Sequence, residues 1–246
     1  MSASPISAPG GQSDLLPDVC LRRVEALLQA GERRILGIAG PPGAGKSTLA
    51  TALHAHFGAG VVVVPMDGFH LYQSVLDRTG RAAQKGAPDT FDVTAYVATL
   101  RRIRAAEGTV RVPGFDREVE DPVPDQIEVP SAVRLVITEG SYLLLDRPGW
   151  DQIAGLLDET WYVEAPDRLR IERLTARHEI FGKEPDEAKA WASGSDQSNA
   201  EIVATTRDRA DLVLTNADGW AASGRLTAPT RVAMHEGRVQ DHPAGG

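Results

Sequence analysis

The chain has 246 residues, 42% of them hydrophobic, with 34 acidic against 26 basic side chains and a formal net charge of −8 at neutral pH. That is enough chain for one α/β domain with a substantial core, and the acidic balance excludes a nucleic-acid surface as its main business, because a phosphate backbone demands a basic face. One cysteine, Cys20, excludes an intrachain disulfide and fits a reducing compartment.

Residues 1–13 are Ser, Ala, Pro and Gly with little to bury, and read as a disordered tail. They lack the basic start and apolar stretch of a signal peptide, and no apolar run approaches membrane-spanning length. The expectation is therefore a cytoplasmic protein with no nucleic-acid or membrane partner. Homodimerisation is left open.

A helix is predicted over 14–30, with Leu21, Val24 and Leu28 on one face and Gly31 as its stop. Cys20 reads there as a small core residue. Ile35 to Ala39 is a buried strand. Gly40 to Ser47, GPPGAGKS, then matches G-x-x-x-x-G-K-[ST] in full, and 48–57 continues as a helix. This strand–loop–helix is built for phosphate. Gly43 and Gly45 let the backbone curl so that its N–H groups point inward, and the helix dipole adds positive potential there. Lys46 reaches the β- and γ-phosphates and the Ser47 hydroxyl ligates Mg²⁺. The nucleotide-binding set is Gly40, Gly43, Ala44, Gly45, Lys46, Ser47 and Thr48.

Val61 to Met66 is a second buried strand, running into Asp67-Gly68-Phe69-His70. A carboxylate just past such a strand lies on the edge where ligands bind. The polar segment up to Asp92 is too long for an ordinary connection and reads as a substrate-binding excursion. Asp92 is a candidate N-cap for a helix over 93–106 with an apolar stripe through Val93, Tyr96, Val97, Leu100 and Ile103. Thr109 to Val112 is a short strand leading into Pro113-Gly114-Phe115-Asp116-Arg117 and an acidic, proline-broken stretch. Val133 to Thr138 is the third strongly apolar strand, ending in Glu139. A short helix over 150–157, a strand over 160–163 and an Arg-rich helix capped by Asp167 follow. Residues 178–184 read as a mobile connection, then helices from about 185 and 196 to 210, and a last strand over 211–215. Strands alternating with helices predict an α/β fold with a mostly parallel sheet of about five strands, helices on both faces and a small helical lid. The main domain is read as 14–215 with the lid at about 177–195, and 216–246 as a partly disordered extension.

A phosphate loop alone does not separate kinases from GTPases, motors or transporters. No Asn-Lys-x-Asp stretch for a guanine base is present, since Thr215-Asn216-Ala217-Asp218 is out of register, and Glu139 stands alone where ATPases carry an Asp-Glu pair. In combination and order, GPPGAGKST, MDGFH, KGAPDTFD, VPGFDR, ITEGSYLLL and RLRIERLTARH resemble the phosphoribulokinase / uridine kinase / bacterial pantothenate kinase group, within its nucleoside/nucleotide kinase-like branch, over about residues 20–215. The resemblance implies an ATP- and Mg²⁺-dependent kinase acting on a hydroxyl of a small metabolite, such as a nucleoside, a sugar or a pantothenate-like acid. A nucleotide-binding regulator or assembly factor is the alternative.

By the same resemblance Asp67 activates the acceptor hydroxyl and stands near the metal, and Glu139 serves the outer shell of Mg²⁺. Arg173 and Arg177, four apart on one helix face, match the lid arginines that cover the phosphates. Surface arginines are the rival reading for that pair, with Arg168 and Arg170 as spares. The acceptor pocket is assigned to Phe69, His70, Lys85, Asp92, Phe115, Asp116, Arg117 and Tyr142, in which Arg117 or Lys85 meets a carboxylate or phosphate and the aromatic rings supply flat apolar surface. Two departures touch the acceptor: Gly86 stands where uridine kinases place an Asp, and Glu120 where they place a His. The resemblance implies the reaction and leaves the acceptor unnamed.

Overall fold

The computed structural model describes residues 16–217. Five parallel strands form the central sheet: β1 (Arg34–Ala39), β2 (Val61–Pro65), β5 (Leu135–Glu139), β6 (Glu159–Glu164) and β7 (Leu212–Thr215), in the spatial order β2-β5-β1-β6-β7. Burial on both faces explains why β1 and β5 read as near-continuous apolar runs. Leu36, Ile38, Leu135, Ile137, Trp161 and Val163 face one layer, closed by α1 (Asp18–Gln29) and α2 (Lys46–Phe57). Ile35, Val64, Val136 and Tyr162 face the other, closed by α4 (Val93–Ala105), the segment from Tyr142 to Ile153, and Val203 of α7 (Ser195–Ala204). Cys20 is fully buried in the first layer, where burial pushes its thiol up to about 12, so it packs as a small apolar residue.

The five strands of the central sheet, α2 and α4 lie within a residue or two of expectation. Other segments differ, each for a physical reason. The first helix begins at Asp18, after Pro17, whose ring suits a helix entrance. The excursion after β2 is not featureless: it holds α3 (Gln73–Thr79), ended by Gly80 at φ 68°. The strand expected over 109–112 runs on as β3 (Val110–Asp116), and the proline-broken stretch is a true strand, β4 (Asp121–Val129), paired antiparallel with β3 as a separate hairpin. Proline is tolerated there because a two-stranded ribbon is all edge. The helix expected over 150–157 is a pair of 3₁₀ turns at Trp150–Gln152 and Ala154–Leu156.

Asp167 is not the cap of α5 (Asp167–Ile180). Pro166 occupies the cap position, and Asp167 accepts a hydrogen bond from Arg170 one turn on. The connection expected at 178–184 is shorter, because α5 continues to Ile180 before α6 (Pro185–Ser193) begins. The last long helix ends at Ala204 and resumes only as a 3₁₀ turn at Arg207–Arg209. The N-terminal tail and nearly all of the C-terminal extension lie outside the described residues. Among the described residues no helix is long and apolar enough to cross a membrane.

A buried relay ties α4 to the sheet beside the site. The Tyr96 hydroxyl meets Thr138 Oγ1, which donates to the Val64 carbonyl at 2.8 Å, and both side chains are fully buried. Thr138→Val keeps the volume but strands the Tyr96 hydroxyl; it is expected to lower the unfolding free energy by about 1–3 kcal/mol, and Tyr96→Phe by about 1 kcal/mol. Urea denaturation of the two variants measures both costs.

Candidate active site

The phosphate loop lies between β1 and α2, at the carboxyl edge of the sheet. Gly45 caps α2 at φ 103°, and Gly43 takes φ 76°. A Cβ on Gly43 would stand 2.8 Å from the Arg170 carbonyl oxygen, so both conformation and space require glycine there. The first amides of α2 have no intrahelical acceptor, as at any helix start, and face the same concavity.

Four of the loop's carbonyls accept from side chains, three of them from residues outside the loop. Pro41 O accepts from Lys46 Nζ at 3.1 Å, Pro42 O from Arg170 Nη1 at 3.0 Å, Gly43 O from Arg173 Nη1 at 3.3 Å, and Ala44 O from Asn216 Nδ2 at 2.8 Å. Arg170 is therefore no spare. It is 2% exposed and also bonded to Asp167 and Gln197, each at 2.8 Å. Sequence reasoning missed Arg170 and Asn216. The signals were present: an Asp three residues before the arginine, and an Asn just past a parallel strand, on the same edge of the sheet as Asp67 and Glu139.

Around this loop the structure gathers the predicted machinery. Ser47 Oγ donates to Glu139 Oε1 at 2.9 Å. Asp67 enters from the turn after β2, and its Oδ2 accepts from Arg117 Nη2, on the β3–β4 turn, at 2.8 Å. Ser47, Asp67, Glu139, Phe115 and Arg117 all line one cavity of about 240 Å³, walled on one side by the hairpin.

Its electrostatics are those of crowded opposite charges. Burial pushes Glu139 up, reinforced by the negative charge of Asp67 and opposed by Lys46 and the Ser47 hydrogen bond. Burial would raise Asp67 as well, but Arg117, with His70, Arg177 and Lys46 behind it, holds that carboxyl down at about 2. Burial also lowers Lys46, with Glu139 and Asp67 acting against it. A hydroxyl beside a buried carboxylate at the lip of an amide cradle fits a Mg²⁺ ion whose remaining ligands are phosphate and water oxygens. Among the described residues no cluster of three or more His, Cys, Asp or Glu could hold a metal unaided.

The acceptor nominees separate. Phe115 and Arg117 line the cavity. His70 stacks at 4.9 Å between centroids on Phe115 and 4.0 Å on Phe91, and Lys85 Nζ lies 5.8 Å from the Phe115 ring. Burial lowers the His70 ring, and its Nδ1 faces the Asp67 carbonyl at 2.8 Å, so the neutral tautomer keeps its proton there and leaves Nε2 to accept. Phe69 and Tyr142 are buried core residues; Tyr142 donates to Gly86 O at 2.6 Å. Asp92 is exposed and caps α4 through the Ala95 amide at 2.8 Å, and Asp116 accepts from the Glu118 amide at 2.8 Å within its own turn. These four do not line the cavity.

Of the lid arginines, Arg173 touches the loop, while Arg177 is half-buried with no hydrogen-bonded partner among the described residues. Burial lowers it, and Arg117 adds like-charge repulsion. His178 Nε2 lies 2.8 Å from Asp196 Oδ2.

Comparison with known proteins follows this geometry. Residues 35–217 match the model of the phosphoribulokinase / uridine kinase family. The chain is 36% identical over 187 residues to the uncharacterised protein YggC of Escherichia coli (strain K12), covering 74% of this chain and 77% of that one. It is 34% identical over 209 residues to a Schizosaccharomyces pombe protein named "putative uridine kinase", covering 80% and 89%. Among solved structures, a "putative fructose transport system kinase" from Silicibacter sp. TM1040 aligns with a TM-score of 0.71 at 35% identity, covering 80% of this chain and 97% of that one.

Two measurements test the site. Asp67 sits at about 2 in the folded chain against an ordinary 3.8, so its pairing contributes stability that is complete above about pH 4 and lost as pH falls toward 2. The gap in unfolding free energy between wild type and Arg117→Gln is expected to be constant above pH 4 and to close toward pH 2. Arg170→Met leaves the Pro42 carbonyl unpaired and is expected to weaken binding of a non-hydrolysable ATP analogue by about tenfold, read by calorimetry.

Proposed function

Because the chain belongs to the phosphoribulokinase / uridine kinase family, we propose that it is an ATP-dependent kinase that transfers the γ-phosphoryl group to an alcohol of a small metabolite. The observation that carries this reading is the shared cavity: a carboxylate that can orient an alcohol, Asp67, opens on the same space as Ser47 and Glu139 at the lip of the phosphate loop. A nucleotide switch has no need of that alcohol-facing carboxylate. The reading carries a cytoplasmic protein with a small-molecule partner, and neither membrane nor nucleic acid in its action.

Each residue then has a task. The loop amides and Lys46 hold the β- and γ-phosphates, and Ser47 and Glu139 hold Mg²⁺, which neutralises charge on the phosphate oxygens when bound. Asp67 uses Oδ2 for Arg117 and has Oδ1 free to accept the acceptor's hydroxyl hydrogen. The hydroxyl oxygen attacks the γ-phosphorus as the bond to the ADP oxygen breaks, and the hydroxyl proton passes to Asp67. A carboxyl held so low is a weak base, so its main contribution is orientation; in a loose transition state the proton leaves late. Arg177, whose charge bears on Asp67, has in this reading the task of meeting the transferring group, and the segment from the end of α5 through α6 that of the lid that excludes water.

Asp67→Ala is expected to cut phosphoryl transfer by at least about a hundredfold while leaving affinity for a non-hydrolysable ATP analogue within about twofold. Transfer from γ-labelled ATP to a metabolite panel, with calorimetry on the same variant, reads both. Normal turnover by Asp67→Ala would remove Asp67 from the mechanism.

A further inference from the structure

The last turns of α5 have little core to hold them. Arg170 and Leu174 are the buried residues of this helix, and from Thr175 to Ile180 every side chain is at least partly exposed, Ile180 at 62%. Packing therefore fixes the helix up to Leu174 and does little beyond it. Among the described residues, 175–180 make a single side-chain hydrogen bond, between His178 Nε2 and Asp196 Oδ2 at 2.8 Å. A carboxylate only accepts, so the imidazole donates through Nε2.

Asp196 lies in the first turn of α7, and its neighbour reaches the same helix at another point. Gln197 Oε1 accepts from Arg170 Nη2 at 2.8 Å. One turn of α7 thus holds α5 both at Arg170 and at His178, with Arg173 and Arg177 between. The Arg170 end is bound onward to the Pro42 carbonyl at 3.0 Å, which ties that point to the phosphate loop. At the other end Trp191 of α6 stands by His178 with ring centroids 6.3 Å apart, and Lys183 Nζ lies 5.0 Å from the centre of the indole. The charge of Arg177 bears on Lys46 and Asp67, at the reacting end of the site. Arg177 has no hydrogen-bonded partner of its own among the described residues, so the direction of its guanidinium depends on how the turn that carries it is held.

We propose that Asp196 is a positioning residue for phosphoryl transfer: through His178 it fixes the last turns of α5 and so aims Arg177 at the transferring group. A donor directed at developing charge is most effective when it is already in place, and a displacement of about 1 Å is enough to lose much of its effect. The proposal rests on the kinase reading for the task of Arg177, though not for the fixing of the helix.

Three variants separate this role from packing. Asp196→Ala removes the bond; His178→Phe keeps a ring beside Trp191 but has no N–H; Asp196→Asn keeps an oxygen for the Nε2 proton. Each is made in the wild type and in Arg177→Met. Transfer from γ-labelled ATP to a metabolite panel reads kcat, and calorimetry with Mg²⁺ reads the preference for a non-hydrolysable ATP analogue over ADP. Asp196→Ala and His178→Phe are each expected to lower kcat about tenfold and the preference for the analogue at least about threefold, with ADP affinity within about twofold. Asp196→Asn is expected to stay within about threefold of wild type in both. Added to Arg177→Met, none of the three is expected to cost more than about twofold.

Losses that repeat in full beside Arg177→Met overturn the assignment, because the pair would then be a structural tie. Asp196→Asn as poor as Asp196→Ala also overturns it, since the charge of Asp196 would then act without His178. If no metabolite is labelled by the wild type, yet His178→Phe loses preference for the analogue only while Arg177 is present, the positioning stands and the kinase reading fails. Label transferred at the full rate by His178→Phe and Asp196→Asn alike keeps the kinase reading and removes the pair from it.

Discussion

A loop whose amides converge on an anion must turn its carbonyls the other way, and each of those needs a donor. This chain meets the requirement from four places. Lys46 serves Pro41, Arg170 serves Pro42, Arg173 serves Gly43, and Asn216 serves Ala44. Two of the donors come from α5 and one from the end of β7, so the cradle is held by elements more than a hundred residues away in sequence. Buried carbonyls without such donors would each cost a lost hydrogen bond in a low-dielectric setting. Arg170 does more than serve one carbonyl, because its fork spans Pro42, Asp167 and Gln197 and so joins the loop to α5 and α7 at once.

The second constraint is two carboxylates in one cavity. Asp67 and Glu139 repel, and burial raises the cost of charging either. The chain separates their environments. Asp67 has a guanidinium at 2.8 Å and titrates near 2, whereas Glu139 has only a hydroxyl in direct contact and is pushed up. A cation arriving beside Ser47 would relieve Glu139 most, which gives the metal a reason to bind there rather than at Asp67.

The machinery beside the glycine-rich loop was legible because its logic is local. Strand, glycines, Lys46 and Ser47 are contiguous, and Asp67 and Glu139 follow apolar runs that read as strands of a parallel sheet. The hairpin was not legible. Prolines at 122 and 124 and a run of acids read as loop, and nothing nearby reveals that β3 would be a partner outside the main sheet. Phe69, Tyr142, Asp92 and Asp116 sit in motif-like stretches yet serve packing, capping and turns, because a motif fixes position along the chain and not the direction of a side chain. Arg170 and Arg173 are alike on paper. One is buried and the other half-buried because α5 turns the first squarely onto the loop.

From sequence alone came the fold class, the phosphate cradle and the order of the charged groups along the sheet edge, all carried by contiguous residues and by the two periodicities of strand and helix. Tertiary structure alone decided which arginine clamps the loop, that Arg117 crosses from the hairpin to Asp67, and that Asn199 rests against Gly86. Those are meetings between residues 50 to 128 positions apart. Whether they occur depends on how helices lie on the sheet, and that is set by packing of the whole core rather than by any one stretch of chain.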